Sequence, residues 1–216
     1  EVLDCWFESG SMPYAQEHYP FENKERFEAN FPADFICEGL DQTRGWFYTL
    51  AVLGSALFDT PAFKNCVVNG LILAEDGKKM SKRLKNYPDP NEMSKKYGAD
   101  AIRLYMLNSP AVRGEDLRFS EKGLVETTRQ QLLPLWNALV FLSTYAKIDG
   151  WEPSPVNLSV KNNNPMDRWI VSRLHKLIAE VQNEMDGYDL NRSVAPFVGF
   201  IDLLTNWYIR RSRRRF

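Results

Sequence analysis

Cysteine and histidine are scarce in this sequence, which has three cysteines and two histidines among 216 residues. Cys5, Cys37 and Cys66 are widely spaced and form no CxxC pair, and His18 and His175 lie far from all of them. This spacing argues against a disulfide framework and against a zinc site. We therefore expect a reducing compartment, the cytosol or an organelle matrix, and we expect Cys37 and Cys66 to be small buried side chains at strand borders.

Long hydrophobic runs, signal-peptide patterns, internal repeats and low-complexity blocks are also lacking. No apolar stretch approaches the roughly 20 residues of a membrane-spanning helix. Hydrophobic residues still make up 44% of the chain, so it can bury a sizeable core as one large domain or two smaller ones. Because the chain lacks an initiator Met and ends within a basic run, we expect it to be a piece of a longer protein.

Positive charge is concentrated in two places although the net charge is only -1. We define the basic cluster as Lys78, Lys79, Lys82, Arg83 and Lys85, a stretch with no acidic residue inside it. The second concentration is RRSRRR at 210–215. Like charges this close repel one another by roughly 1 kcal/mol per pair in water, so each set requires an anionic partner or free exposure to solvent.

Two apolar runs predict strands of a parallel sheet. Residues 33–37 (ADFIC) form the first run, and 65–73 (NCVVNGLIL), rich in β-branched residues, form the second. Between them, apolar residues recur with helical spacing over 46–57. A strand, a helix and a second strand are typical of half an α/β fold with a parallel sheet.

The patterning after the second strand is helical. Residues 91–107 predict two helices that are separated near Gly98. Further on, Asn164 and Pro165 fit the N-cap and first position of a long helix, and Gly187 fits its end.

Three segments have an apolar helical face and favour an α-helical bundle: 132–140, 170–185 and 194–208. The segment 149–165, rich in Pro, Asn and Ser, predicts a surface connection between the first and second of these helices.

The basic cluster does not form a phosphate-binding P-loop. Six residues separate Gly70 from Gly77, where that motif has four, and Lys78 is followed by Lys79 where the motif needs Ser or Thr. A flexible loop after a strand could instead place lysines against a triphosphate and neutralise a leaving pyrophosphate. The alternative is a solvated run of charge.

A second candidate site is CEGLDQTRGW at 37–46, where the first strand ends and a helix begins. Open α/β sheets bind ligands at this position, and Glu38, Asp41 and Gln42 could accept bonds from ribose hydroxyls or a ligand ammonium. Alternatively, Asp41 is only a helix N-cap and Glu38 an exposed loop residue. Trp6 and Trp46 could wall an apolar pocket or could simply pack in the core.

The end of the chain, NWYIRRSRRRF, interleaves aromatic and basic residues on a predicted helix. This composition suits contact with a nucleic-acid backbone through Arg210, Arg211, Arg213 and Arg214. Alternatively, the arginines only favour the negative end of the helix dipole.

These motifs together resemble a known family. KMSKR at 79–83 resembles the KMSK-type loop of class I aminoacyl-tRNA synthetases, and EGLDQTRGWF at 38–47 is similar to the isoleucine-specific members. Three further segments also resemble those members, in the same order along the chain: VLDCWFESGSMPYA, KYGADAIRLYMLNSP and TNWYIRRSRRR. The sequence of these motifs is most similar to the eukaryotic cytosolic form.

The resemblance implies ATP-dependent activation of L-isoleucine to an adenylate and its transfer to tRNA(Ile), with Mg-ATP as the nucleotide, no zinc and no protein ligand for the metal. Lys79 and Lys82 would stabilise the triphosphate as pyrophosphate leaves, and Lys82 would contact ATP directly. Glu38 would bind the adenylate. Gly39, Asp41 and Gln42 would hold its ribose and amino group, and Trp6 and Trp46 would shape the isoleucine pocket.

One departure from the family is that neither histidine begins a HIGH-like sequence, and no editing domain is present. The resemblance therefore implies a fragment: the second half of a Rossmann-like catalytic fold at 1–73, the KMSKR loop and stem-contact region at 74–120, and the start of an all-α helical anticodon-binding bundle at 121–216. Such a fragment would be inactive alone.

Three alternatives stay open at this point: a valyl- or leucyl-tRNA synthetase fragment, a catalytically dead tRNA-binding relative, and a helical nucleic-acid-binding protein with accidental motif matches. For the full-length protein the resemblance also implies a cytoplasmic location, no membrane partner, and membership in a multi-synthetase complex.

Overall fold

The computed structural model describes residues 2–81, 83–84, 86–152 and 164–215. The chain divides into two compact units. The first comprises Glu1–Ile72 with Pro110–Leu117, and the second comprises Leu73–Ser109 with Arg118–Phe216. None of the described helices is long and apolar enough to span a membrane.

The first unit is built on two parallel strands. Its elements are α1 (Cys5–Ala15), α2 (Lys24–Asn30), β1 (Ala33–Gly39), a 3-10 turn (Leu40–Arg44), α3 (Trp46–Phe58), β2 (Phe63–Asn69) and a second 3-10 turn (Pro110–Arg113). The pairing of β1 with β2 runs from Ala33 beside Phe63 to Gly39 beside Asn69. The predicted strand, helix and parallel strand are thus confirmed, although β2 ends at Asn69 rather than continuing to residue 73.

The core of the first unit lies between this strand pair and α3. Ile36, Phe47, Leu50 and Ala62 are buried together, and Trp46 packs against them. Helix α1, which the sequence patterning did not predict, lies close to α3, since a Cβ on Gly10 would stand 2.8 Å from Thr49 Cβ. This close approach requires glycine at position 10.

The prediction that Cys37 and Cys66 are buried is wrong, because both are exposed. Among the described residues β1 pairs only with β2, and a pair of strands offers few neighbours to cover its two faces. The Cys37 sulfur instead accepts a hydrogen bond from Asn69 Nδ2 at 3.2 Å.

The second unit is mainly helical. Its helices are α4 (Pro90–Tyr97), α5 (Ala99–Leu107), α6 (Glu121–Thr127), α7 (Leu133–Ile148), α8 (Pro165–Asp186), α9 (Leu190–Asp202) and α10 (Arg210–Ser212). Wide π-helical turns join α6 to α7 at Thr128–Leu132 and α9 to α10 at Leu203–Ile209. The boundary between the units passes through two short strands, β3 (Ile72–Leu73) and β4 (Leu117–Arg118).

Local signals place the helix ends as predicted. Gly98 separates α4 from α5 with a φ of 86°, a left-handed value that glycine adopts without strain. Asn164 Oδ1 accepts a hydrogen bond from the Met166 N–H at 2.9 Å and so caps α8, which ends at Gly187. Most of the predicted linker ahead of α8, 153–163, lies outside the described residues.

Helices α8 and α9 pack against each other, and their buried apolar residues are Ile170, Leu177, Val194 and Ile201. The apolar face predicted over 132–140 behaves differently, since Trp136 is 63% exposed and Leu135, Leu139 and Val140 are exposed too. The described residues therefore do not bury this face of α7, although its patterning favours a bundle.

Candidate active site

The turn after β1 brings Gly39, Asp41 and Gln42 together. A Cβ on Gly39 would stand 2.6 Å from Asp41 Oδ1, so the carboxylate lies over the glycine and occupies the space that a side chain would need. Gln42 Nε2 donates a hydrogen bond to Asp41 Oδ2 at 3.3 Å. Because Gly39 is the last residue of β1, this carboxylate lies at the carboxyl end of the parallel strands, where such sheets bind ligands.

Gln42, and not Asp41, accepts a hydrogen bond from the first amide of α3, whose N-cap residue is Gly45. The Trp46 N–H donates to Gln42 Oε1 at 3.0 Å, which satisfies an amide in the first turn of α3. Since residues 40–44 form a 3-10 turn, α3 begins five residues after Asp41, and Asp41 makes no cap hydrogen bond to either element. Gln42 thus connects the start of α3 to Asp41.

Trp6 and Trp46 lie at the same turn. The Trp6 ring lies against Gly45, where a Cβ would stand 2.9 Å from it, and Trp6 as a whole residue is 41% exposed. The indole N–H of Trp46 donates to the Ser9 carbonyl of α1 at 3.0 Å. Trp46 therefore packs against the core, as the alternative interpretation held, and also ties α1 to the turn.

Glu38 is exposed on β1, directly before Gly39. It pairs in register with Val68 of β2, so it too lies at the carboxyl end of the strand pair. The first unit thus places all six residues assigned by resemblance to the adenylate and isoleucine within or beside one turn: Trp6, Glu38, Gly39, Asp41, Gln42 and Trp46.

The basic cluster begins in a tight hairpin of the second unit. The Ala74 N–H donates to the Lys78 carbonyl at 2.9 Å, and Leu73 and Lys79 form an antiparallel bridge. Gly77 makes the turn with a φ of 79°, and the guanidinium of Arg118 lies against it. The backbone of Lys79 is therefore bridged to the end of β3.

The cluster has an acidic neighbour that the sequence patterning overlooked. Lys78 Nζ lies 3.2 Å from Asp76 Oδ2, and Asp76 Oδ1 accepts the Lys78 N–H at 3.0 Å. The backbone hydrogen bond, followed by the Lys78 side chain, lowers the pKa of the Asp76 carboxyl. Lys79 and Arg83 are exposed, and Lys82 and Lys85 lie outside the described residues.

The terminal arginines divide into two groups. Arg210, Arg211, Arg213 and Arg214 are exposed, and the Arg211 guanidinium stacks 3.8 Å above the Trp207 ring. Arg215 is also exposed, but its guanidinium pairs with the buried Asp167 of α8 through two hydrogen bonds of 2.5 and 2.6 Å.

Tyr208 joins this pair by donating its hydroxyl proton to Asp167 Oδ1 at 2.9 Å. Burial and then this bond raise the pKa of Tyr208, and Asp167 raises the pKa of Arg215 above its usual range. We call Asp167, Tyr208 and Arg215 the Asp167 triad, of which Asp167 is the buried member. No local pattern signals it, because its members are 41 and 48 residues apart.

In the part of the chain that the structure describes, no three His, Cys, Asp or Glu side chains converge to hold a metal ion.

Curated relatives match the whole chain. It is 69% identical over 216 residues to an isoleucine–tRNA ligase of Protochlamydia amoebophila and 62% identical to one of Chlamydia trachomatis. The chain spans 21% of the length of each. These relatives are bacterial, so they give no support to the expected eukaryotic cytosolic form.

Solved structures share the fold. A leucyl-tRNA synthetase of Agrobacterium radiobacter K84, in a ternary complex, matches with a TM-score of 0.73 at 19% identity, covering 95% of this chain and 27% of that one. A Mycobacterium tuberculosis methionyl-tRNA synthetase bound by methionyl-adenylate matches with a TM-score of 0.74 at 24% identity, covering 96% of this chain and 40% of the other. The second half of a Rossmann-like catalytic fold followed by helices is the architecture that these likenesses support.

Two family models account for most of the sequence. The anticodon-binding domain of tRNA ligases matches residues 167–216. The model for class I tRNA synthetases (I, L, M and V) matches residues 1–120, which is more than half of the chain. The chain therefore belongs to the class I tRNA synthetases of the isoleucine, leucine, methionine and valine group.

Proposed function

We propose that this chain is part of an isoleucine–tRNA ligase, which activates L-isoleucine with ATP and transfers it to tRNA(Ile). The observation that carries this proposal is 69% identity over the whole chain to a ligase of that name. In the reaction, the isoleucine carboxylate attacks the α-phosphorus of ATP, and pyrophosphate leaves as the aminoacyl-adenylate forms.

The turn after β1 would bind the adenylate. The Asp41 carboxylate, held over Gly39 and bonded to Gln42, can accept hydrogen bonds from a ribose hydroxyl or the isoleucine ammonium. Glu38 would bind the adenylate next to it. Trp6, which is partly exposed beside Gly45, would shape the isoleucine pocket, and Trp46 would support it from the core.

The basic cluster would neutralise the triphosphate. The backbone of Lys79 forms a bridge with Leu73, so this part of the loop has a fixed position from which the side chain can reach the triphosphate. Lys82 would contact ATP directly. The nucleotide would arrive with Mg²⁺ on its phosphates, which is how Mg²⁺ usually enters nucleotide sites with few protein ligands.

The exposed arginines at 210, 211, 213 and 214 would contact the tRNA backbone, and Trp207 holds Arg211 flat on its ring. We keep the division into 1–73, 74–120 and 121–216 as the functional one, since the family matches fall on either side of residue 121. We place the full-length enzyme in the cytoplasm. Membership in a multi-synthetase complex finds no support in the comparisons.

The proposal can be tested in a chimaera. The corresponding segment of the Protochlamydia amoebophila ligase is replaced by this chain, and ATP–pyrophosphate exchange is measured with isoleucine, valine and leucine. We expect exchange with isoleucine near that of the unmodified ligase. A folded chimaera that prefers valine or leucine, or that activates no amino acid while still binding tRNA, would refute the proposal in favour of those alternatives.

The 216-residue chain alone should show no isoleucine-dependent exchange, because it carries no HIGH-like sequence to complete the ATP site. Each charge-assisted hydrogen bond lost from the nucleotide weakens binding by about 1.5 to 3 kcal/mol. Robust exchange by the purified chain would contradict this expectation.

A further inference from the structure

Asn86 lies just after the basic cluster, and its side-chain amide contacts the backbone of Lys79 and Ser81 at the start of the loop. Asn86 Oδ1 accepts a hydrogen bond from the Ser81 N–H at 2.9 Å. Asn86 Nδ2 donates to the Lys79 carbonyl at 3.2 Å. One planar group therefore satisfies a donor and an acceptor on the backbone two residues apart.

The arm that Asn86 holds is itself fixed. Lys79 is bridged to Leu73 in the hairpin, whose turn is closed by hydrogen bonds between Ala74 and Lys78 and between Gly77 and Ala74. On the other side, the Leu84 N–H donates to the Ser81 carbonyl at 3.1 Å. The amide thus joins an ordered hairpin to a turn within the cluster.

The positive charges of the loop oppose the compact backbone that these hydrogen bonds hold. Lys79 and Arg83 are exposed, and mutual repulsion among cations favours an extended backbone. A neutral amide can oppose that repulsion without reducing the positive potential that a polyanion would meet. An acidic residue at position 86 would pair with the lysines instead.

We propose that Asn86 is a positioning residue, which fixes the backbone of Lys79 and Ser81 before the triphosphate binds. This inference rests on the proposed function for its kinetic consequence, but its structural part stands apart from it. Asparagine fits this position because it offers both a donor and an acceptor on one short side chain, whereas aspartate offers acceptors only.

Limited trypsin digestion of the 216-residue chain tests the structural part, because the cluster supplies the cleavage sites. The variants are Asn86→Ala, Asn86→Asp, and Asn91→Ala, a matched control on the exposed first turn of α4. Cleavage within 78–85 is measured by mass spectrometry relative to cleavage after Arg173 in α8, which reports general unfolding.

We expect loop cleavage in Asn86→Ala to rise about 5-fold or more over the control, since each lost hydrogen bond is worth roughly that factor. Asn86→Asp should be intermediate, because it keeps an oxygen for the Ser81 N–H but cannot donate to the Lys79 carbonyl. Equal relative cleavage in Asn86→Ala and Asn91→Ala would overturn the proposal.

Exchange kinetics of the chimaera test the functional part. Asn86→Ala should lower kcat/KM for ATP about 10-fold while leaving the KM for isoleucine unchanged. A merely structural loss would impair both substrates equally, and that result would overturn the positioning role. If the unsubstituted chimaera activates no isoleucine, the proposed function fails, and loop cleavage alone decides the role of Asn86.

Discussion

Asp167 and Arg215, which are 48 residues apart, are joined by two parallel hydrogen bonds between guanidinium and carboxylate. Asp167 is in the first turn of α8 and only 7% exposed, and Arg215 is in the last turn of the described chain. This pair and Tyr208 anchor the end of the chain, while the four preceding arginines stay exposed. The Asp167 triad therefore fixes Arg215, which directly follows the proposed tRNA-contacting arginines in sequence, beside the start of α8.

Replacing Asp167 with alanine should destabilise the chain. The carboxylate accepts hydrogen bonds from Arg215 and Tyr208, and bonds to a charged group contribute roughly 2 kcal/mol, so we expect the free energy of unfolding to fall by about 2 kcal/mol. Urea unfolding followed by far-UV circular dichroism measures this. The matched control is Asp202→Ala, because Asp202 is exposed and accepts a local hydrogen bond from Asn206 Nδ2, so its change should stay within about 0.5 kcal/mol. Equal losses in the two variants would contradict a special role for Asp167.

Tyr208 should make stability depend on pH in the alkaline range. Burial, followed by the bond to Asp167, raises its pKa above the ordinary 10.0, so the folded chain holds the phenol proton more tightly than the unfolded chain. This stabilisation is complete below pH 10.0 and is lost as pH rises through the folded pKa. Tyr208→Phe should be less stable than the parent at neutral pH, and the gap in the free energy of unfolding should narrow above pH 10.0. A gap that widens with pH would contradict this.

Gly70 should tolerate no side chain. A Cβ there would stand 1.9 Å from the Glu115 carbonyl oxygen, and the Gly70 N–H is bonded to the Ala111 carbonyl at 2.7 Å, so the backbone has little freedom to move away. We expect Gly70→Ala to cost about 3 kcal/mol. Gly199→Ala in α9 is the control, since a Cβ there meets nothing within 4 Å and alanine favours a helix by up to about 1 kcal/mol. Melting temperatures that shift in the same direction would show that the close approach at Gly70 is not decisive.

Substitutions of Lys82 and Lys85 would distinguish a specific contact with the triphosphate from a general effect of positive charge. If Lys82 contacts the triphosphate, Lys82→Ala in the chimaera should slow isoleucine-dependent exchange about 100-fold or more, which is typical for loss of one group that stabilises a transition-state charge. Lys85→Ala removes the same charge three residues away and should slow exchange less than about 5-fold. Similar losses in both variants would mean that the cluster acts as a general positive field.

The elements that the sequence predicts correctly are those with local signals. Asn164 and Pro165 begin α8, Gly187 ends it and Gly98 divides α4 from α5, because caps and left-handed turns depend on a few adjacent residues. The parallel pairing of β1 and β2 follows from the helix between them. The candidate site residues Gly39, Asp41 and Gln42 likewise lie close together because they follow one another at the carboxyl end of β1.

Burial and long-range pairing were not predictable in the same way. Cys37 and Trp136 are residue types that are often found in protein cores. Whether they are buried here depends on which elements pack over them, and both are exposed. The hydrogen bond between Gln42 and the start of α3 was missed because a 3-10 turn delays α3 beyond Asp41, and no pattern marks that delay. The pairing of Asp167 with Arg215 depends on how α8 and the end of the chain pack, which a single sequence does not encode locally.

The π-helical turn at Leu203–Ile209 changes the direction in which the side chains after it point around the helix axis. A π turn accommodates one more residue than an α turn, so side chains beyond it are rotated by about 100° relative to an uninterrupted α-helix. Tyr208 lies within this turn and Arg215 lies beyond it, and both contact Asp167 in this arrangement. Deleting a single residue from the turn would leave the helix and its composition intact but would redirect the arginines to a different side of the molecule.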